Sequence, residues 1–149
     1  MIEVAAATEI AAPAAAVWEV LSDVEQFHEW NPFIRDVRGT TEVGGTLRVR
    51  VRPSRGPRLV FHATVLTREA NRELRWRGHF LAPWFATGDH SFTIEPLGNG
   101  RVRFVQHETF SGLLPLLGKR LLAHEIQRGF DAMNRALETR ATGNEARPR

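Results

Sequence analysis

The feature that most constrains the fold is a change of hydrophobic period at Gly112. Between Phe33 and Gly112 apolar residues alternate with polar ones, which is typical of strands that bury one face. Beyond Gly112 the apolar residues recur every three or four positions, as in an amphipathic helix, and they are Leu122, Ile126, Phe130, Met133 and Leu137. A sheet with one apolar face needs a cover, and this is the only predicted helix long enough to provide it.

The other elements follow from the same patterns. Segment 2–10 alternates as a first strand, and Pro13 suits the first turn of a helix over residues 14–21. A second short helix, "VEQFHEW", is predicted to end at Asn31-Pro32. Six strands in consecutive hairpins then lead to the last helix. That helix, with Pro115 near its start, is predicted to run for about 25 residues, or roughly 38 Å.

Polar residues interrupt the apolar phase of the last strand, "RVRFVQHETFSG". Gln106 and Glu108 share the inward phase of Val102 and Phe104. A five-residue hairpin loop over 96–100 would place His90 opposite Gln106, with Glu108 on the diagonal. We therefore expect an inward polar patch of His90, Gln106 and Glu108.

Length and composition bound the class of protein. The 149 residues predict a single domain over 1–141 with a flexible tail over 142–149. The absence of cysteine excludes disulfides and thiolate metal sites, and fits a reducing compartment. The N-terminus lacks the basic region of a signal peptide, and no apolar run reaches about 18 residues. We expect a cytoplasmic protein without membrane insertion. Nothing in the sequence predicts an oligomeric state.

The chain resembles the START-like (SRPBCC) superfamily, and within it the small bacterial polyketide cyclase/dehydratase-like proteins. The resemblance covers residues 2–141 and rests on the order of elements, on "FHEWNPF", and on the spacings Gly88-x-His90-x-Phe92 and Glu108-x-Phe110-Ser111-Gly112. It implies an α+β helix-grip fold, in which a seven-stranded curved antiparallel sheet wraps around a long C-terminal helix, with two short helices after the first strand. It also implies a cavity for a lipid, a polyketide or a similar hydrophobic molecule. The superfamily includes true cyclases and many members without demonstrated chemistry.

The polar patch then has three interpretations. His90, Gln106 and Glu108 can form a hydrogen-bonded cluster with a structural role only. They can orient the polar end of an apolar ligand. His90 and Glu108 can also act as a general acid/base pair in an aldol-type cyclisation or dehydration, with the pKa of His90 near the useful range.

Aromatic residues are the candidate cavity walls. Trp76 and Phe80 face inward by alternation, and Trp84 and Phe85 lie on the apolar loop "LAPWFA", where we expect the cavity mouth. The remaining candidate ligand contacts are Phe92, Phe104, Phe110, Phe130 and Met133. Their alternative role is ordinary core packing.

No cofactor or metal is expected. The five other histidines show no metal-ligand spacing, and the chain contains no nucleotide-binding or nucleophile motif. A rival prediction uses the arginines in the outward phase of the strands, which could meet RNA phosphates or an acidic protein surface. They are Arg48, Arg50, Arg52, Arg75, Arg77, Arg101 and Arg103. Nucleic-acid binding is the less favoured alternative, because no outward aromatic residues interleave with them to stack bases.

Overall fold

A computed structural model describes residues 1–143; the rest of the expected tail lies outside the described residues. The elements in chain order are β1 (Ile2–Ile10), α1 (Ala14–Ser22), a 3₁₀ turn (Val24–Gln26), α2 (Phe27–Trp30), β2 (Ile34–Gly39), β3 (Thr46–Val51), β4 (Leu59–Glu69), β5 (Glu73–His79), β6 (Thr87–Gly98), β7 (Arg101–Ser111), α3 (Leu113–Leu117) and α4 (Lys119–Thr142).

The seven strands form one antiparallel sheet in the order β1-β7-β6-β5-β4-β3-β2. Strands β2 to β7 are a run of consecutive hairpins, and β1 joins the sheet beside the last of them. One face of the sheet is buried against α4, whose residues Phe130, Met133 and Leu137 are fully buried. The predicted α+β helix-grip architecture is therefore confirmed.

The predicted helix after Gly112 is interrupted. Residues Leu113–Leu117 form α3, and the backbone leaves the helical region at Gly118 (φ −161°) before α4 begins. The prediction of one continuous helix starting near Pro115 is therefore wrong at its N-terminal end. A left-handed Gly143 (φ 72°) ends α4, as is common after the last helical turn.

The predicted hairpin register between β6 and β7 is wrong by two residues. A two-residue turn at Asn99-Gly100, both with positive φ, replaces the expected five-residue loop, and a bulge lies between Pro96 and Gly98. His90 consequently pairs with Glu108. Because the shift is even, every side chain keeps its predicted face.

Gly129 allows α4 to pack closely against the ring of Phe33, the residue before β2. A Cβ atom at this position would lie 2.2 Å from the ring of Phe33, which packs edge-on against Phe130 at 6.0 Å. A helix-weakening glycine is thus placed where an aromatic ring occupies the space of a side chain. This contact forms the wall between the two concave regions described below.

Candidate functional site

A cavity of about 600 Å³ lies between the sheet and the two C-terminal helices. Its floor is one row of paired residues across the sheet, in which Ala63 faces Gly78, Gly78 faces Gly88, and Gly88 faces Phe110. Three of these four residues have little or no side chain. The sheet therefore leaves open space under the helix at this row, whereas large side chains fill the neighbouring rows.

The cavity wall is predominantly apolar. Strands β2 to β4 contribute the side chains of Ile34, Val49, Val51, Leu59, Phe61 and the nearby Phe33, and α4 contributes Leu122 and Ile126. At the rim, Leu81, Leu117 and Leu121 line the cavity and are also 75%, 71% and 65% exposed. Exposed leucines around an opening indicate the mouth of the cavity.

The mouth is built from two segments that hydrogen-bond to each other. The backbone N–H groups of Leu113 and Leu114 donate to the carbonyl oxygens of Trp84 and Phe85, at 3.1 and 2.8 Å. Gly112 permits this approach, since its φ is 105° and a Cβ atom would lie 2.7 Å from the Phe85 carbonyl oxygen. The loop after β5 and the start of α3 thus close one side of the opening together.

A polar row lies next to the floor. Trp76 pairs with His90, and His90 pairs with Glu108, so these three side chains stand side by side on the buried face. His90 is 3% exposed, and its Nδ1 lies 3.6 Å from Glu108 Oε1. Glu108 keeps 13% of its side chain exposed and lines the cavity. Gly88 makes room for it, because a Cβ atom there would lie 2.7 Å from Glu108 Oε2.

A hydrogen-bond chain from α4 fixes the tautomer of His90. The Gln106 side-chain amide donates to Asn134 Oδ1 at 2.7 Å and to the backbone carbonyl of Phe130 at 3.4 Å. A backbone carbonyl can only accept, so the amide nitrogen of Gln106 points to the helix and its oxygen points to His90. His90 Nε2 lies 3.1 Å from that oxygen and must donate. The lone pair of Nδ1 then faces Glu108.

Burial keeps both titratable groups neutral. Loss of solvation lowers the pKa of His90 to about 3, although its hydrogen bond to Gln106 opposes the shift. Loss of solvation also raises the pKa of Glu108 to about 8, and the charge of Asp89 adds to the increase. At neutral pH the cavity therefore presents a carboxylic acid beside a neutral imidazole. The pKa of His90 lies below the range expected from the sequence.

A second glutamate, Glu125 on α4, also lines the cavity. Glu125 is 6% exposed and accepts hydrogen bonds from the Ser54 hydroxyl at 2.6 Å and from the Arg55 backbone N–H at 3.0 Å. Both donors lie on the loop between β3 and β4. The hydrogen bond from Ser54 is the main reason that the pKa of Glu125 is lowered. Glu125 thus ties this loop to the helix.

The structure separates the sequence-predicted site residues into two groups. Those that line the cavity are Trp76, Phe80, Phe85, His90, Glu108 and Phe110. Those that do not are Trp84, Phe92, Phe104, Gln106, Phe130 and Met133. Phe92, Phe104, Phe130 and Met133 are fully buried in the adjoining core. Gln106 hydrogen-bonds His90 without lining the cavity itself. Trp84 is 71% exposed and packs edge-on against the ring of Phe85.

Sequence reasoning missed most of the wall from β2 to β4 and the leucines of the mouth. The alternation in "TLRVRV" already placed Val49 and Val51 inward. The stronger signal was glycine in the inward phase at positions 78 and 88, since a buried strand position without a side chain leaves a hollow. The break at Gly118, which brings Leu117 and Leu121 to the rim, has no comparable signal.

Some of the outward arginines form ion pairs with acidic neighbours. Arg75 donates twice to Asp89, at 2.7 Å each, and Arg77 donates to the same carboxylate at 2.9 Å. These bonds hold the pKa of Asp89 below its usual value. Arg101 forms an ion pair with Glu9 at 3.6 Å. Part of the positive charge on this face is therefore compensated within the sheet.

No described helix is long and apolar enough to cross a membrane. No three histidine, cysteine or carboxylate side chains of the described part of the chain are grouped so that they could hold a metal ion.

The family of the chain follows from a match to a known family. Residues 1–142 match the family described as polyketide cyclase / dehydrase and lipid transport. The chain belongs to this family. The family membership that the sequence resemblance implied is thus confirmed. No curated protein matches the sequence directly.

Solved structures show the same fold at low sequence identity. Zhui aromatase/cyclase from a Streptomyces species has 22% identity and a TM-score of 0.80, with 97% of this chain and 96% of that chain covered. A START superfamily protein from Mycobacterium smegmatis has 22% identity and a TM-score of 0.77, with 96% and 99% covered. Norcoclaurine synthase from Thalictrum flavum, in complex with dopamine and hydroxybenzaldehyde, has 13% identity and a TM-score of 0.72, with 97% and 88% covered. The helix-grip fold is common to all three.

Proposed function

We propose that this family member binds a small, largely apolar molecule in the cavity between the sheet and the C-terminal helices. The observation that carries the proposal is an apolar cavity of about 600 Å³ with a carboxyl group, Glu108, facing it without a hydrogen-bond partner among the described residues. Cavities of this size, with an apolar wall and few polar groups, are typical of small-molecule sites.

The polar row specifies the polar end of the ligand. Protonated Glu108 offers an O–H donor, and His90 offers an acceptor at Nδ1. A neutral carbonyl or hydroxyl group fits this pair. A ligand carboxylate would be placed in an apolar site without a cationic partner in the polar row, which costs several kcal/mol. The proposed ligand is therefore a neutral ketone, phenol or alcohol with an apolar body, such as a polyketide-like or sterol-like molecule.

Mass spectrometry of gently purified protein tests this proposal first. The native spectrum is expected to show extra mass that disappears in the denatured spectrum, and the released molecule is expected to be neutral and apolar. A native mass equal to that of the bare chain, together with no saturable uptake of neutral aromatic ketones, would contradict the proposal.

A cavity-filling substitution with a matched control tests whether the ligand lies in the cavity. Val49→Phe adds a ring to the cavity wall, so it should weaken ligand binding more than tenfold, because overpacking a ligand space costs about 1–3 kcal/mol or more. Val105→Phe makes the same change on the opposite face of the sheet, where residue 105 pairs with Thr93 and Ala7, and should leave binding unchanged. Equal ligand uptake by both variants would place the ligand outside the cavity.

A second candidate function is proton-transfer catalysis of the cyclase or dehydratase type. It is favoured by the Glu108 carboxylic acid, which can protonate the carbonyl oxygen of a bound ketone while His90 Nδ1 accepts an α-proton. Because the pKa of His90 is about 3, His90 is a weak base, and the proposal is confined to acidic substrates such as 1,3-diketones. The electron pair of the broken C–H bond then forms the enol. This step needs no cofactor and is the first step of an aldol cyclisation.

Hydrogen–deuterium exchange tests the second candidate directly. An aryl 1,3-diketone in D₂O is expected to lose its α-protons faster with the protein than with buffer, as followed by NMR. Glu108→Gln should reduce the excess rate by about 10²–10⁴-fold, the usual contribution of a general acid with a pKa near neutral pH. His90→Gln should reduce it less, because the pKa of His90 lies far below the operating pH. Unchanged exchange in either variant would leave that residue a binding role only.

A further inference from the structure

A second concave region lies on the other side of Phe33 from the apolar cavity. It has a volume of about 580 Å³ and is formed by the chain at the start of β2, the loop after β3 and one face of α4. We call it the basic cleft, and its lining residues are Pro32, Phe33, Arg35, Arg52, Pro53, Ser54, Arg128, Gly129, Asp131, Ala132 and Arg135. Phe33 and Pro53 line both regions, so a single layer of side chains divides them.

The basic cleft concentrates positive charge. Four arginines line it against one carboxylate, Asp131. Arg128, Asp131 and Arg135 recur at helical spacing, so α4 presents them on one side together with the small residues Gly129 and Ala132. The ring of Phe33 packs against Gly129, and the short side chain of Ala132 leaves the helix surface open between Arg128 and Arg135. A ligand can therefore reach several arginines at once.

The four arginines form no close ion pair within the described part of the chain, although the charge of Arg128 contributes to the lowered pKa of Glu125. Within residues 1–143, no ion pair involves Arg35, Arg52, Arg128 or Arg135, whereas Arg75, Arg77 and Arg101 on the outer sheet face all have carboxylate partners. Asp131 is itself bonded by the Gln127 side-chain amide at 3.2 Å. Among residues 1–143, Arg48, Arg50 and Arg103 on the outer face also lack an ion pair, so the basic cleft differs from that face by gathering four arginines around one concave region.

One arginine is held in position before any ligand binds. The guanidinium of Arg35 donates to the backbone carbonyls of Asn31 at 2.6 Å and His28 at 3.2 Å, at the end of α2. These bonds fix the side chain at the edge of the cleft, so less conformational entropy is lost when it meets an anion.

We propose that the basic cleft, lined by Arg35, Arg52, Arg128 and Arg135, is a binding site for a phosphoryl group. A carboxylate is satisfied by one planar guanidinium, whereas a phosphate or diphosphate carries enough oxygen acceptors and charge for several guanidinium groups from different directions. Three elements of the fold supply those directions here. The source of the phosphoryl group is a free phosphorylated molecule or a lipid headgroup, which present the same chemistry.

Calorimetric titration with inorganic pyrophosphate tests the basic cleft. Saturable binding of one pyrophosphate is expected, compared with sodium chloride at equal ionic strength, and it should weaken as salt rises. Arg128→Gln and Arg52→Gln should each weaken it about tenfold or more, since each removes a charge-assisted hydrogen bond. Arg48→Gln removes an exposed arginine from β3 outside the cleft and should leave binding unchanged.

Co-sedimentation with phosphatidate and phosphatidylcholine vesicles separates the two sources. Arg128-dependent binding to phosphatidate but not to phosphatidylcholine assigns a lipid headgroup, and pyrophosphate binding without vesicle binding assigns a soluble phosphorylated molecule. The proposal is overturned if neither pyrophosphate nor phosphatidate binds more tightly than chloride or phosphatidylcholine, or if Arg48→Gln reduces binding as much as Arg128→Gln. Thermal melts of all variants verify that they are folded.

Discussion

At the scale of single residues, the site depends on two ionisable side chains that burial keeps neutral. Their effects on stability oppose each other. Glu108 holds its proton up to about pH 8 in the folded chain, whereas an unfolded glutamate releases it near 4.5, so Glu108 destabilises the fold progressively as pH rises between these values. His90 has a folded pKa of about 3 against 6.5 when unfolded, so its contribution to stability is lost as pH falls below 6.5.

Glu108→Gln should therefore change how stability depends on pH. The variant keeps the shape of the protonated acid but cannot ionise, so it should gain stability relative to the wild type as pH rises from 5 to 8, by on the order of 3 kcal/mol. Urea unfolding at several pH values measures this difference. Glu19→Gln, at an exposed position on α1, corrects for the loss of one negative charge. Parallel curves for Glu108→Gln and the wild type would show that residue 108 is not kept protonated by the fold.

At the scale of elements, the sequence predicted the faces of the strands better than their pairing. Alternation alone placed His90, Gln106 and Glu108 inward, and this survived a two-residue error in register because the side-chain period is two. The register depends on the short turn at Asn99-Gly100. The segment "PLGNG" contains three residues that suit positive φ, so the pattern did not show which two of them form the turn. The start of α4 was missed for a similar reason, because Gly118 ends a helix whose apolar pattern continues through it.

The candidate site was predicted only in part for reasons of packing. The sequence identified the polar row and the aromatic residues near it, and six predicted residues line the cavity. It could not separate cavity wall from closed core, since Phe92 and Phe104 share the inward phase with His90 and are yet fully buried. The difference is set by the small residues opposite the helix at the row of Ala63, Gly78 and Gly88. That is a property of neighbouring strands together and not of any one strand.

At the scale of the whole molecule, α4 connects the cavity, the polar row and the basic cleft. Leu122 lines the cavity, Asn134 accepts the hydrogen bond from Gln106 behind the polar row, and Arg128 lines the basic cleft. Leu137 is the last fully buried apolar side chain along the helix. Because one helix holds the core and both concave regions together, we expect the chain to unfold as a single cooperative domain.

Leu137→Ala should therefore destabilise the whole domain by about 2–5 kcal/mol, because Leu137 is fully buried and its truncation opens a cavity in the core. Leu121→Ala makes the same change at an exposed position of α4 and should cost much less. Denaturant unfolding of both variants, followed by tryptophan fluorescence and circular dichroism, measures the two effects and their cooperativity. Equal losses of stability in the two variants, or two separate transitions in the wild type, would contradict a single domain held together by α4.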